Sequence, residues 1–255
     1  MVLPSGALLE GAAGLFETQH ATLYLSIMVL LYGLLGGAYL FYEWYKHGCN
    51  KRPLLYFSLA MIGLYLFEIP TILEYSGIQI VFSRFNSFFA LAFPLNFIAR
   101  VLIASAIFIL ASPKLYAKWR PYFFGWMLAA TVYYVLIFQG QEPLAGRWPI
   151  IISISLFYLP LHVLTMALVA YWLGRDKREM GFVSMAGLVL IAIGVVIAIW
   201  RCFLVIQALL NYPPHFWFLA YSSGALFATE VVYLLCLLIG FFLVHKRYLH
   251  GSEAV

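Results

Sequence analysis

Charge is nearly absent from this chain. Asp, Glu, Lys and Arg together make up 10% of its 255 residues, whereas a water-soluble globular domain carries roughly a quarter. With 65% hydrophobic residues, the chain cannot coat itself with polar surface as a monomer in water, and the bilayer is the solvent it suits. Lipid leaves only helices and closed barrels as spanning structures, because every backbone N–H and C=O must be satisfied internally. Also lacking is a polar stretch long enough to fold as a separate soluble domain. That excludes a soluble kinase, nucleotide-binding or DNA-binding module within these residues.

Cysteine is scarce too. There are three: Cys49 in a basic segment, and Cys202 and Cys236 inside apolar runs. An odd count with none in an outward loop offers no disulfide framework, and no CxxC pair or Cys/His metal spacing occurs. Small apolar packing residues are the expected role, and no metal site is expected. The first twenty residues hold no Lys or Arg. They lack the basic region of a secretory signal, and the expectation is a helix lying on the outer interface or a loose tail. The net charge of +5 is spread in small groups between apolar runs, which is not a nucleic-acid-binding stripe.

What the chain does have is seven long apolar stretches, over 21–42, 54–73, 88–111, 122–138, 150–172, 182–210 and 216–244. About 20 apolar residues cross the roughly 30 Å hydrocarbon core. The expected fold is therefore an all-α, seven-transmembrane-helix bundle forming one domain over 1–255. Basic residues alternate sharply between the gaps. Lys46, Lys51 and Arg52 follow the first stretch, Lys114, Lys118 and Arg120 the third, Arg175, Lys177 and Arg178 the fifth, and Lys246 and Arg247 the seventh. The opposite gaps hold only Arg84 and Arg147. Cytoplasmic loops are the basic ones, so the N-terminus is expected outside and the C-terminus in the cytoplasm, in a cell inner membrane. Trp44, Tyr45, Trp119, Trp172, Tyr212 and Trp217 sit near stretch ends, as an interfacial aromatic belt would.

The topology is similar to that of rhodopsins and G-protein-coupled receptors, but their residues are missing. The seventh stretch has no mid-span lysine for a retinal Schiff base. No acidic-Arg-Tyr motif follows the third stretch, which ends in ASPKLYAKW, and no Asn-Pro-x-x-Tyr lies in the seventh. Sugar carriers of three-plus-one-plus-three design should place prolines in matching spans. Pro70, Pro94 and Pro160 do not correspond in this way, which disfavours that class.

Four charges stand inside apolar stretches: Glu68, Arg100, Arg201 and Glu230. Each costs about 2.5–3.5 kcal/mol at a span centre, and their signs sum to zero. Matching by depth pairs Arg100 with Glu230 and Glu68 with Arg201; the alternative is one cluster of all four in the outward half. Asn96, four residues before Arg100, shares its helix face. Tyr65 and Thr71 flank Glu68, and Tyr233 follows Glu230 at three. A polar stripe of Ser155, Tyr158, His162 and Thr165 runs along the fifth stretch. His162 lies near mid-membrane without a second histidine opposite, which disfavours a b-type haem. Structural glue, a ligand, quinone or proton site, and pairing with a neighbouring subunit are the open roles for the quartet.

No catalytic set is present, such as an HxxxH or HxxE cluster or a Ser/His/Asp group. The expected function is a non-catalytic multi-pass subunit of a larger inner-membrane assembly, with other membrane-protein subunits as partners. It would anchor, sense, or present a small hydrophobic ligand. The alternatives are a redox subunit binding quinone and a proton-coupled small-solute carrier using Glu68 or Glu230.

Overall fold

The computed structural model describes residues 19–65, 69, 82–138, 147–176, 181–211 and 224–250. Glu68, the first eighteen residues, Tyr212 and Trp217 lie outside the described residues, and with them the expected interfacial N-terminal helix. Every described segment is built on a helix, and no strand occurs among the described residues. The helices are α1 (Gln19–Lys46), α2 (Arg52–Tyr65), α3 (Phe82–Ala111), α4 (Pro113–Phe138), α5, α6 (Phe182–Asn211) and α7 (Gly224–His250). The fifth, α5, is one rod in three pieces: Arg147–Ser153, a π-helical turn over Ile154–Tyr158, and Leu159–Asp176.

Among the described residues four helices carry windows long and apolar enough to cross a membrane: Ile27–Lys46, Phe93–Ala111, Trp148–Arg175 and Phe182–Asn211. The apolar parts of α2 and α7, Arg52–Leu64 and Thr229–His245, are shorter. The exterior matches this character. Leu35, Leu128 and Leu136 are each two-thirds exposed, as are Tyr45 and Tyr122, a surface that only lipid or another apolar chain can solvate. Trp119 is exposed as a belt residue should be, but Trp172 is buried. The belt assignment fails for Trp172 because its face of α5 turns into the core.

Around the bundle the helices run α1, α2, α3, α5, α6, α7 and back to α1, with α4 outside against α3. The α6–α7 seam is the most extensive, and glycine makes it. A Cβ placed on Gly187 would stand 2.7 Å from the carbonyl oxygen of Gly240, and one on Gly240 would stand 2.6 Å from that of Gly187. Gly194 continues the seam, against Cys236 and the carbonyl of Tyr233. Small residues let helix backbones touch where no hydrophobic effect drives them together. Elsewhere in the ring α1 meets α2 at Gly37, whose carbonyl accepts the Ser58 hydroxyl at 2.7 Å.

Phe57 of α2 stacks on Phe241 of α7, with centroids 3.8 Å apart, and Arg175 near the end of α5 donates to the carbonyl of Ala111 at the end of α3. These contacts gather the ends of α1, α3, α5 and α7, and the starts of α2, α4 and α6, at one end of the bundle. The described basic segments all lie there. Gly48 and Cys49 close α1 at that end, both with positive φ (68° and 63°), and the Trp44 indole donates to the Cys49 carbonyl at 3.0 Å.

Candidate functional site

Arg100 sits on α3 about 17 Å of helix from Ala111, at 1.5 Å per residue, and it is buried. A guanidinium there must find acceptors. Its Nε donates to Asn96 Oδ1 at 2.9 Å, one helical turn back. Its Nη2 donates to Glu230 Oε1 on α7 at 2.9 Å. Its Nη1 reaches His162 Nε2 on α5 at 3.5 Å. The guanidinium carbon lies 5.5 Å from the Tyr158 ring centroid and 5.1 Å from that of Tyr233. Both are cation–π distances, and such contacts strengthen where water is excluded.

Arg201 of α6 meets the other oxygen of the same carboxylate, Glu230 Oε2. Glu230 thus joins two arginines from two helices, and all three side chains are 10% exposed or less. The structure brings Arg201 to Glu230; its expected match with Glu68 falls on a residue outside those described. The reason for the Arg201–Glu230 contact is geometric. Glu230 follows the tight α6–α7 seam, which carries Arg201 past it at the same level.

Asn96, Tyr158, His162 and Tyr233 all gather around Arg100. The expected stripe on α5 does not hold as drawn. Ser155 is exposed, while Ser153 is buried and shares a 2.6 Å hydrogen bond with Tyr134 of α4. Thr165 donates back to the Leu161 carbonyl of its own helix. The π turn causes the shift. Pro160 has no N–H and its ring crowds the carbonyl four residues earlier. The chain answers with one extra residue per turn, so that the Leu159 N–H bonds to Ile154 O. That extra residue rotates everything before it relative to a regular helix, and π turns concentrate at functional sites.

These side chains line a cleft between α3, α5 and α6, with Tyr134 of α4 at one wall. It is open at one side, and about 630 Å³ of non-atom space lies within and before it, open solvent included. Asn96, Arg100, Tyr158, His162 and Arg201 form its polar part, and Phe93, Ile150, Ile154, Ala198 and Val205 its apolar walls. The cleft extends from the level of Arg100 toward the end where α5 begins and α6 finishes, away from the basic end. Phe93 stacks on Tyr134 with centroids 5.5 Å apart, and the Tyr158 hydroxyl lies 3.5 Å from the Phe93 carbonyl.

Sequence reasoning missed Tyr134, Ser153, Phe93 and Cys202, all of which line the cleft. Only Tyr134 carried a signal, as a tyrosine inside an apolar stretch. Ser153 was hidden by the π turn. Cys202 was assigned to packing; it is buried and also borders the cleft. Among the described residues no group of three His, Cys, Asp or Glu stands close enough to hold a metal. No protein-family model matches this chain, and no curated protein and no solved structure matches it.

Proposed function

We propose that the chain is a non-catalytic, multi-pass subunit of a larger inner-membrane assembly, and that its cleft holds a small hydrophobic ligand which it senses or presents to a partner. In this reading it crosses the bilayer seven times, N-terminus outside and C-terminus cytoplasmic, and the cleft opens in the outer half. The observation that carries the reading is the cleft itself. It has apolar walls and a few convergent polar groups at one end, as small-molecule sites are built.

Two tests separate the parts of this reading. For the ligand, the protein is purified in mild detergent and its bound small molecules are extracted and identified by mass spectrometry. Ala198 is buried and lines the cleft, so Ala198→Phe should fill it. An apolar compound near one per chain in the parent and depleted at least about tenfold in the variant is the expected result. Equal amounts in both would overturn the ligand reading. For topology, the probe is a membrane-impermeant maleimide on intact cells. Gly146→Cys should label from outside in a Cys49→Ser background. Lys177→Cys and the native Cys49, which is exposed at the basic end, should label only after permeabilisation. The reverse pattern would overturn the orientation.

A redox subunit that binds quinone is the second reading, favoured by His162 and Tyr158 beside Arg100 at the polar end. A bis-histidine haem is not favoured. His162 stands level with Glu230, whereas His245 is about 22 Å further along α7 at 1.5 Å per residue. A proton-coupled carrier would rest on Glu68, since Glu230 is committed to two arginines.

A further inference from the structure

The polar end of the cleft has a chemical sign of its own, and it follows from Arg100. A guanidinium has N–H groups and no lone pair to offer. Arg100 therefore consumes acceptors. It takes Asn96 Oδ1 at 2.9 Å, Glu230 Oε1 at 2.9 Å and His162 Nε2 at 3.5 Å. Arg201 takes Glu230 Oε2. Tyr158 donates weakly to Asn96 Oδ1 as well, at 3.4 Å. The carboxylate and amide oxygens and the imidazole lone pair are thus all engaged.

Bonding to Arg100 also decides the state of two cleft residues. Asn96 must turn its oxygen to Arg100, so its amide nitrogen, with two N–H groups, is what it can offer elsewhere. His162 must present a lone pair at Nε2, so a neutral ring carries its proton at Nδ1. The Tyr158 hydroxyl is already engaged, at 3.4 Å with Asn96 Oδ1 and 3.5 Å with the Phe93 carbonyl, and with Tyr134 as well. Asn96, Tyr158 and His162 all line the cleft. What remains for an occupant, beside the Tyr134 and Ser153 hydroxyls that bond each other, is a set of donors held between apolar walls.

We infer that the cleft takes an apolar compound whose polar end is a carbonyl-type acceptor, of the quinone, ketone or ester class, and not one that ends in a hydrogen-bond donor. This deepens the ligand reading above and rests on it. Asn96 Nδ2 and His162 Nδ1 donate to the occupant's oxygen, Tyr158 supports them, and Phe93, Ile154 and Val205 cover its apolar body. A hydroxyl head would accept from the same N–H groups, but its own proton would have to find one of the hydroxyl oxygens of Tyr134, Ser153 or Tyr158, which already share bonds. An unmade bond in such a site costs more than a made one gains.

The test uses the full chain in mild detergent and three probes that share one decyl tail. They are decyl-trimethyl-1,4-benzoquinone, its quinol and decyl-trimethylbenzene. All ring positions of the quinone are substituted, so the Cys202 thiol has no unsubstituted position to add to. Affinity is read from the rise in melting temperature with probe concentration. The quinone is expected to bind about tenfold more tightly than the hydrocarbon and than the quinol, from one or two hydrogen bonds.

Asn96→Asp keeps the oxygen that Arg100 needs and replaces the amide donor by a second acceptor. It should weaken quinone binding about tenfold, and His162→Phe about threefold to tenfold, while Gly125→Ala, with nothing within 4 Å of its Cβ position and outside the cleft, leaves it unchanged. The melting temperature of each variant without probe reports its fold. If quinone, quinol and hydrocarbon bind equally, the cleft binds apolar molecules and the donor inference is wrong. If none of the three binds, the ligand reading itself falls. If the quinone binds but Asn96→Asp and His162→Phe, both folded, bind it as the parent does, its oxygens lie elsewhere and the inference is overturned.

Discussion

Glu230→Ala is expected to be the most destabilising single change at the site, more so than Arg100→Ala. Glu230 joins Arg100 at 2.9 Å and Arg201 through its other oxygen. Its removal takes the carboxylate from two buried guanidiniums at once. Stranding one partner of a buried pair costs on the order of 3–5 kcal/mol, and two are affected. Arg100→Ala leaves Glu230 with Arg201, so its cost should fall at the lower end of that range. The pairwise reading of the sequence implies that Arg100→Met with Glu230→Gln restores stability. The shared carboxylate implies only partial recovery, because Arg201 still loses its negative partner. Reversible unfolding in mixed micelles would rank the three variants. Equal losses for Glu230→Ala and Arg100→Ala, or full recovery in the double variant, would show that the carboxylate is not shared.

Gly240→Val should separate α6 from α7. A Cβ at Gly240 stands 2.6 Å from the Gly187 oxygen, 2.7 Å from Ile191 Cγ1 and 3.1 Å from the Ile191 nitrogen. Two of those three atoms are backbone and cannot rotate away. Overpacking a core typically costs about 1–3 kcal/mol, and here relief requires moving a whole helix, so the upper end is expected. Gly125→Ala is the control. Nothing lies within 4 Å of its Cβ position on α4, and exchanging a helical glycine for alanine favours the helix by up to about 1 kcal/mol. Folded yield and unfolding midpoint should fall for Gly240→Val and hold or rise for Gly125→Ala. Equal behaviour of the two would mean that the α6–α7 seam is not tightly packed.

The same two features mark where sequence reasoning ran out. Arg201 stands in an apolar run and its need for a partner is plain from the sequence. Which carboxylate it meets depends on how far α7 slides along α6, and that slide is set by the Gly187–Gly240 contact. No local pattern announces it, since glycines at those positions have no helical signature of their own. Ser153 and Ser155 fail in a related way. A regular 3.6-residue period put Ser155 on the inner face, whereas the π turn before Pro160 puts Ser153 there. The proline was visible, but how the chain would absorb it was not. Trp172 resembled a belt residue by its position alone and is buried because of the direction its helix face takes.

The helical, membrane-suited character of this chain was determined by its sequence alone. Long uncharged stretches leave the backbone no partner but itself, and a helix satisfies it locally, whatever the rest of the fold does. The presence of costly charges at Arg100, Arg201 and Glu230 was equally legible, because burial in an apolar run is a property of the run. Tertiary structure alone decided that these three share one carboxylate, that Asn96 and His162 give their acceptors to Arg100, and that a cleft with donors remains beside them. Those outcomes depend on relative shifts and rotations of separate helices. Such shifts are set by side chains far apart in the chain meeting at van der Waals distance, and a one-dimensional pattern does not contain them.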